Sequence, residues 1–148
     1  MTTDKNSKAG DRVIAEVSVA DWDLRWEHVP NGFRELQSSL GHVPGIFAAK
    51  QGARVMYIGA AAQKYAGLRA GLARGRLRPQ TGNSSHGMKK VREAGDSVEA
   101  YVIRMMPPMT PKEIVHLKWL MIDYHKPPMN APRDIVTAAR KASYANRS

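Results

Sequence analysis

The sequence predicts an α+β fold: a small three-stranded antiparallel sheet flanked by helices, in the order β-β-α-α-β-α, with N- and C-terminal extensions. Three observations carry this prediction. Gly45-Ile-Phe-Ala-Ala49 and Arg54-Val-Met-Tyr-Ile58 are short strand-like runs, and Lys50-Gln-Gly-Ala53 between them supplies a glycine-containing hairpin turn. Ser97-Val-Glu-Ala-Tyr-Val-Ile103 reads as a third strand, ended by Pro107-Pro108. Thr110-Pro-Lys-Glu113 is a capping box with Pro at the first helical position, and the apolar stripe Ile114, Leu117, Met121, Ile122 follows it.

The remaining elements follow in chain order. Residues 1–11 are polar and read as a disordered tail without the apolar stretch of a secretion signal. Residues 12–42 form an N-terminal extension. Within it Val13–Val19 alternates, as a short strand or extended arm does. Trp22 and Trp26 are four apart, so a short helix would put both on one face, where they would dock the segment onto the core. Phe33–Leu40 is a candidate short helix. The main domain spans residues 43–131. After its hairpin, residues 60–78 are rich in Ala, Leu and Arg and favour helix despite Gly67, Gly71 and Gly75. Pro79-Gln-Thr-Gly82 breaks that helix, and Asn83 or Ser84 caps a second one running to about Ala94, closed by Gly95. The capping-box helix should end near Tyr124, before His125-Lys-Pro-Pro. Residues 132–148 read as a C-terminal tail with a weak helix from Pro132 to about Ala142.

Charge is distributed unevenly over the 148 residues. The formal net charge is +10, from 23 Lys and Arg against 13 Asp and Glu. Residues 48–104 hold 11 basic and 3 acidic side chains, whereas residues 1–47 hold 5 and 7. The densest runs are Arg74-Gly-Arg76-Leu-Arg78 and Lys89-Lys90-Val-Arg92. Clustered positive charge attracts polyanions, of which nucleic acid is the commonest. No apolar run is long enough for a membrane helix, and no segment pairs a basic face with a broad apolar one, which argues against a membrane partner. There are no cysteines, so there is no disulfide, thiol nucleophile or Cys-ligated zinc. The five histidines lack zinc-binding spacing. An intracellular setting, cytoplasmic or associated with a nucleoid or organelle, is expected.

Gly45-Ile-Phe47, followed ten residues later by Tyr57-Ile-Gly59, and a last helix closing on Pro127 and Asn130, resemble the GIY-YIG nuclease superfamily. Asn83-Ser-Ser-His86 is similar to the start of that family's middle helix. The resemblance covers about residues 43–131. It favours DNA over RNA as the partner, a choice the residues themselves leave open, and implies a divalent metal, Mg or Mn, held by a Glu on the last helix. It also implies an Arg that stabilises phosphate charge and two motif tyrosines beside the attacking water.

At several of these positions the chain carries other residues. Phe47 replaces the first motif tyrosine and has no hydroxyl, while Tyr57 is retained. The arginine position falls on Gly67 or Gly71, with Arg69 between them. Counting back from Pro127 and Asn130, the metal-binding position is Lys118, a donor with no acceptor. Glu113 lies five residues away, about 140° around the helix, and suits the capping box better than a metal. The reading is therefore a nucleic-acid-binding protein of this fold with impaired or lost endonuclease activity, needing no metal or other cofactor. Its catalytic candidates are Tyr57, Arg69 and His86. Its nucleic-acid-binding candidates are Arg69, Arg74, Arg76, Arg78, Lys89, Lys90, Arg92 and Lys118. One alternative is an active Mg- or Mn-dependent endonuclease with rearranged residues. Another is a structural component of a nucleoprotein assembly, with a protein partner or a second copy.

Overall fold

The computed structural model describes residues 9–62, 67–75, 86–105 and 109–145. Its elements are β1 (Val13–Ile14), β2 (Val17–Ser18), α1 (Val19–Trp22), β3 (Glu27–Val29), β4 (Gly45–Gln51) and β5 (Arg54–Ala61). They continue with α2 (Gly67–Ala73), α3 (His86–Ala94), β6 (Glu99–Arg104), α4 (Pro111–His125) and α5 (Pro132–Ala145). The fold is α+β, with a two-stranded antiparallel ribbon, β1-β2, and a four-stranded antiparallel sheet ordered β3-β6-β4-β5.

The β4–β5 hairpin lies where the sequence predicts it. Gly52, with φ of 60°, takes the first position of a two-residue turn, where a left-handed residue matches the twist of the strands. Ala49 pairs with Tyr57 but Lys50 pairs with Val55, which leaves Met56 as an extra residue on β5. That bulge shifts the alternation. Val55 and Ile58 therefore face the same side of the sheet although they are three residues apart.

Strand β4 is buried on both faces, so its side chains divide between two cores. Ile46 and Ala48, with Ile58 and Ile103, pack against α4, α5 and the N-terminal segment through Leu117, Leu120, Met121, Ala138 and Trp22. Phe47 and Ala49, with Val102 and Ala100, pack against α2, α3 and the loop before β4 through Leu68, Leu72, Met88, Phe33 and Leu40. The sheet is thus the middle layer between two helical ones.

Several expectations are corrected. The sheet has a fourth strand, because β3 pairs along β6 with Glu27 opposite Val102 and Val29 opposite Ala100. Three residues are too few to show periodicity, and their pairing depends on a β6 edge that exists only after folding. Residues 33–40 are turns ending in a short 3₁₀ segment at Ser38–Leu40. Asn31, at φ 55°, starts the turn, and its carbonyl accepts from the amides of Arg34 and Glu35. Ala60 and Ala61 extend β5, and the helix after it covers Gly67–Ala73; residues 63–66 and 76–85 lie outside the described residues. The helix expected from Pro132 forms as α5, and it docks on the core where a tail was expected, since Ala138 and Ala142 are small enough to let it approach α4 closely.

The N-terminal extension is part of the same core. Ala15 and Glu16, both with positive φ, turn β1 into β2. Trp22 is buried and its indole N–H donates to the Ile14 carbonyl at 3.0 Å, whereas Trp26 lies beyond α1 and donates to Asp23 at 2.8 Å. The two rings dock the segment but do not share a helix. Residues 9 and 10, expected as tail, are buried, with Gly10 against Tyr124.

Helix α4 begins as its sequence predicts. The Glu113 amide donates to the Thr110 hydroxyl at 3.1 Å, and the Thr110 amide donates to the Glu113 carboxylate at 3.0 Å. Lys126, in the left-handed conformation at φ 47°, ends it by donating its amide to the Ile122 carbonyl at 2.7 Å. Among the described residues no helix is long and apolar enough to cross a membrane.

Candidate nucleic-acid interface

Phe47 and Tyr57 come from the paired strands β4 and β5 and lie on the sheet face covered by α2 and α3, with ring centroids 6.1 Å apart. Their surroundings differ. Phe47 is 1% exposed. A Cβ built on Gly59 would lie 2.5 Å from its Cζ, and one on Gly71 2.8 Å from its Cε1, so two glycines make the slot for its ring. The position where the resemblance expects a hydroxyl beside water is core. Tyr57 is half-buried. Its ring lies against the backbone of α3 at Gly87, where any side chain would strike it.

Helix α3 carries the basic residues above this face. His86 is exposed at its start and Lys89 is exposed one turn on. Arg92 bridges α3 to α2, its guanidinium donating to the Arg74 carbonyl at 2.8 Å. Arg69 is half-buried on α2 and Arg74 is exposed just beyond its end. Arg69, Arg74, Lys89, Lys90, Arg92 and His86 thus belong to the α2–α3 layer that covers Tyr57. Among the described residues, Arg69, Arg74, Lys89 and Lys90 have no carboxylate within ion-pair distance. Arg76 and Arg78 lie outside the described residues.

Lys118 belongs to a different neighbourhood. It stands on α4, which packs on the opposite face of the sheet. Its ammonium lies 4.0 Å from the centre of the Trp119 ring. Burial pushes its pKa below the ordinary lysine range, Asp134 works against that, and Lys141 adds to it. Both charged neighbours are on α5. Glu113 is held in the Thr110 cap. Among the described residues no three His, Asp or Glu side chains converge to hold a metal ion.

Two charged clusters had no signal in the sequence. Asp23 accepts from Trp26 and lies 2.7 Å from Nε2 of His125, 102 residues away. Burial pushes the Asp23 carboxyl up, but His125, Trp26 and Lys50 outweigh it, and its pKa is lowered. Lys50 lies 4.5 Å from the Tyr101 ring centre and 5.5 Å from that of Trp26, with its pKa lowered by burial. Arg12 pairs with Asp123 at 3.1 Å and donates to the Ala142 carbonyl at 3.2 Å, which ties the N-terminal segment to α4 and α5. Both clusters join the N-terminal segment to the C-terminal half, so they hold the layers together. Neither the protein-family models, nor the curated proteins, nor the solved structures include a match to this chain.

Proposed function

We propose that the protein binds nucleic acid, DNA in preference to RNA, through the α2–α3 face of a GIY-YIG-like domain whose endonuclease activity is impaired or lost. The observation that carries this reading is that, among the described residues, Arg69, Arg74, Lys89 and Lys90 of the α2–α3 layer, which covers the Phe47–Tyr57 side of the sheet, have no carboxylate within ion-pair distance. Arginine and lysine in such an array contact phosphates and contribute affinity independent of sequence. The order of β4, β5, α2, α3, β6 and α4 supports the fold assignment, because it repeats the β-β-α-α-β-α order of the resemblance. Loss of activity is supported by the packed Phe47 ring, which has no hydroxyl to position water.

The test is binding of a short fluorescent DNA duplex across a salt series. Replacing Arg69, Lys89 and Lys90 together with Gln should weaken binding and flatten the salt slope by roughly one unit per lost phosphate contact. Plasmid incubated with Mg²⁺ or Mn²⁺ should stay intact. An unchanged salt slope moves the interface elsewhere, and metal-dependent nicking lost on Tyr57→Phe favours an active nuclease.

A further inference from the structure

We propose that the face formed by α4 and α5 is a second phosphate-binding surface, so that one chain holds two nucleic-acid segments on opposite sides of its sheet. This rests on the reading of nucleic acid as partner and adds a separate site to it.

The geometry centres on Trp119. Lys118 of α4 and Lys141 of α5 both reach its ring, with ammonium groups 4.0 and 5.8 Å from the centroid. Cations from two helices thus converge on one half-buried indole, an arrangement in which the ring face attracts positive charge. His116 precedes Trp119 by three residues and Lys112 precedes His116 by four, so all three lie along one side of α4. Burial holds His116 below its ordinary range, and Lys141 of α5 and Lys112 add to that.

Counter-charge is scarce. Glu113 is used in the Thr110 cap, and Asp123 is paired with Arg12 and Lys126. Asp134 is the carboxylate that acts on Lys118. Among the described residues none of Lys112, Lys118 and Lys141 is in an ion pair. A polyanion relieves such crowding. A membrane surface fits less well, because among the described side chains of these helices the exposed large apolar ones are Val115 and Val136. The α2–α3 face covers the Phe47 side of the sheet and α4–α5 covers the Ile46 side, so the two surfaces face apart.

The experiment mixes two short DNA duplexes, one with a donor and one with an acceptor fluorophore, with the full chain. Energy transfer reports bridging, and anisotropy of a single duplex at low protein concentration reports binding. The wild-type chain should bridge. Replacing Lys112 and Lys141, both exposed, with Gln should reduce bridging about tenfold or more and lower its salt slope by about two units, with single-duplex binding retained. Bridging should also strengthen as the pH falls through the range below 6.5, since phosphate favours protonated His116, and His116→Gln should remove that dependence. A wild-type chain that binds one duplex and never bridges overturns the second surface and leaves the proposed function standing. Bridging unchanged in the Lys112→Gln/Lys141→Gln variant also overturns it, because the link then runs through another face or a second copy. Binding of phosphatidylserine vesicles that this variant loses, with bridging unchanged, assigns the face to a membrane. No binding of any duplex removes the proposed function itself.

Discussion

Asn130 completes the outer edge of the sheet by using its side chain as a strand residue against Ile58. Its carboxamide oxygen accepts from the Ile58 amide at 3.0 Å, and its carboxamide nitrogen donates to the Ile58 carbonyl at 3.0 Å. The Met129 amide donates to the Met56 carbonyl at 2.8 Å alongside it. The segment after α4 thereby satisfies the edge of β5 next to Tyr57 and fixes α4 relative to the hairpin.

Asn130→Ala is therefore expected to destabilise the fold by about 1–3 kcal/mol, because a buried amide and carbonyl lose their partners. Asn130→Asp should cost more, since it sets a carboxylate against the Ile58 carbonyl. Urea unfolding curves measure both, and a midpoint equal to wild type for Asn130→Asp would show that the clamp contributes nothing.

Phe47→Tyr should destabilise by about 1–3 kcal/mol and confer no cleavage. The added hydroxyl projects from Cζ, the atom nearest Gly59, into a slot without room for it. Thermal unfolding and a plasmid assay with Mn²⁺ check the two halves, and a stable variant that nicks DNA would mean the ring reaches solvent.

Thr110→Ala should cost about 0.5–2 kcal/mol through loss of the cap on α4, with little change in DNA affinity. The same unfolding measurement on Glu113→Gln should show a smaller loss, because Gln can still accept from the Thr110 amide. A metal-dependent activity abolished by Glu113→Gln at unchanged stability would contradict the capping role.

Stability should fall in acid through Asp23. Its folded pKa lies below the unfolded value of 3.8, so its contribution is present above that value and lost as the pH falls through the folded one. Asp23→Asn should lower stability near neutral pH and make the decline from about pH 5 downward shallower. Unfolding midpoints across that range decide it, and parallel curves for the two proteins would rule out Asp23 as a contributor.

Local chemistry made several elements readable in advance. Thr110 and Glu113 are three residues apart, and a capping box depends on nothing else. The β4–β5 hairpin is likewise local, because Gly52 fixes the turn and the flanking apolar runs fix the strands. The basic excess of residues 48–104 is a property of composition and needs no fold to be seen.

Contacts between distant segments were decided only by tertiary structure. Strand β3 exists because β6 offers an edge to Glu27–Val29, and α5 is held because Ala138 and Ala142 meet α4. The pairing of Asp23 with His125 joins residues 102 apart, a separation that leaves no local pattern. Lys118 shows the division most clearly. The sequence established its type and its helix, and so excluded a carboxylate ligand at that position. Which face of the sheet that helix would cover followed from the packing of Leu117, Leu120 and Met121 against Ile46 and Ile58, and that packing set Lys118 beside Trp119 and away from Tyr57.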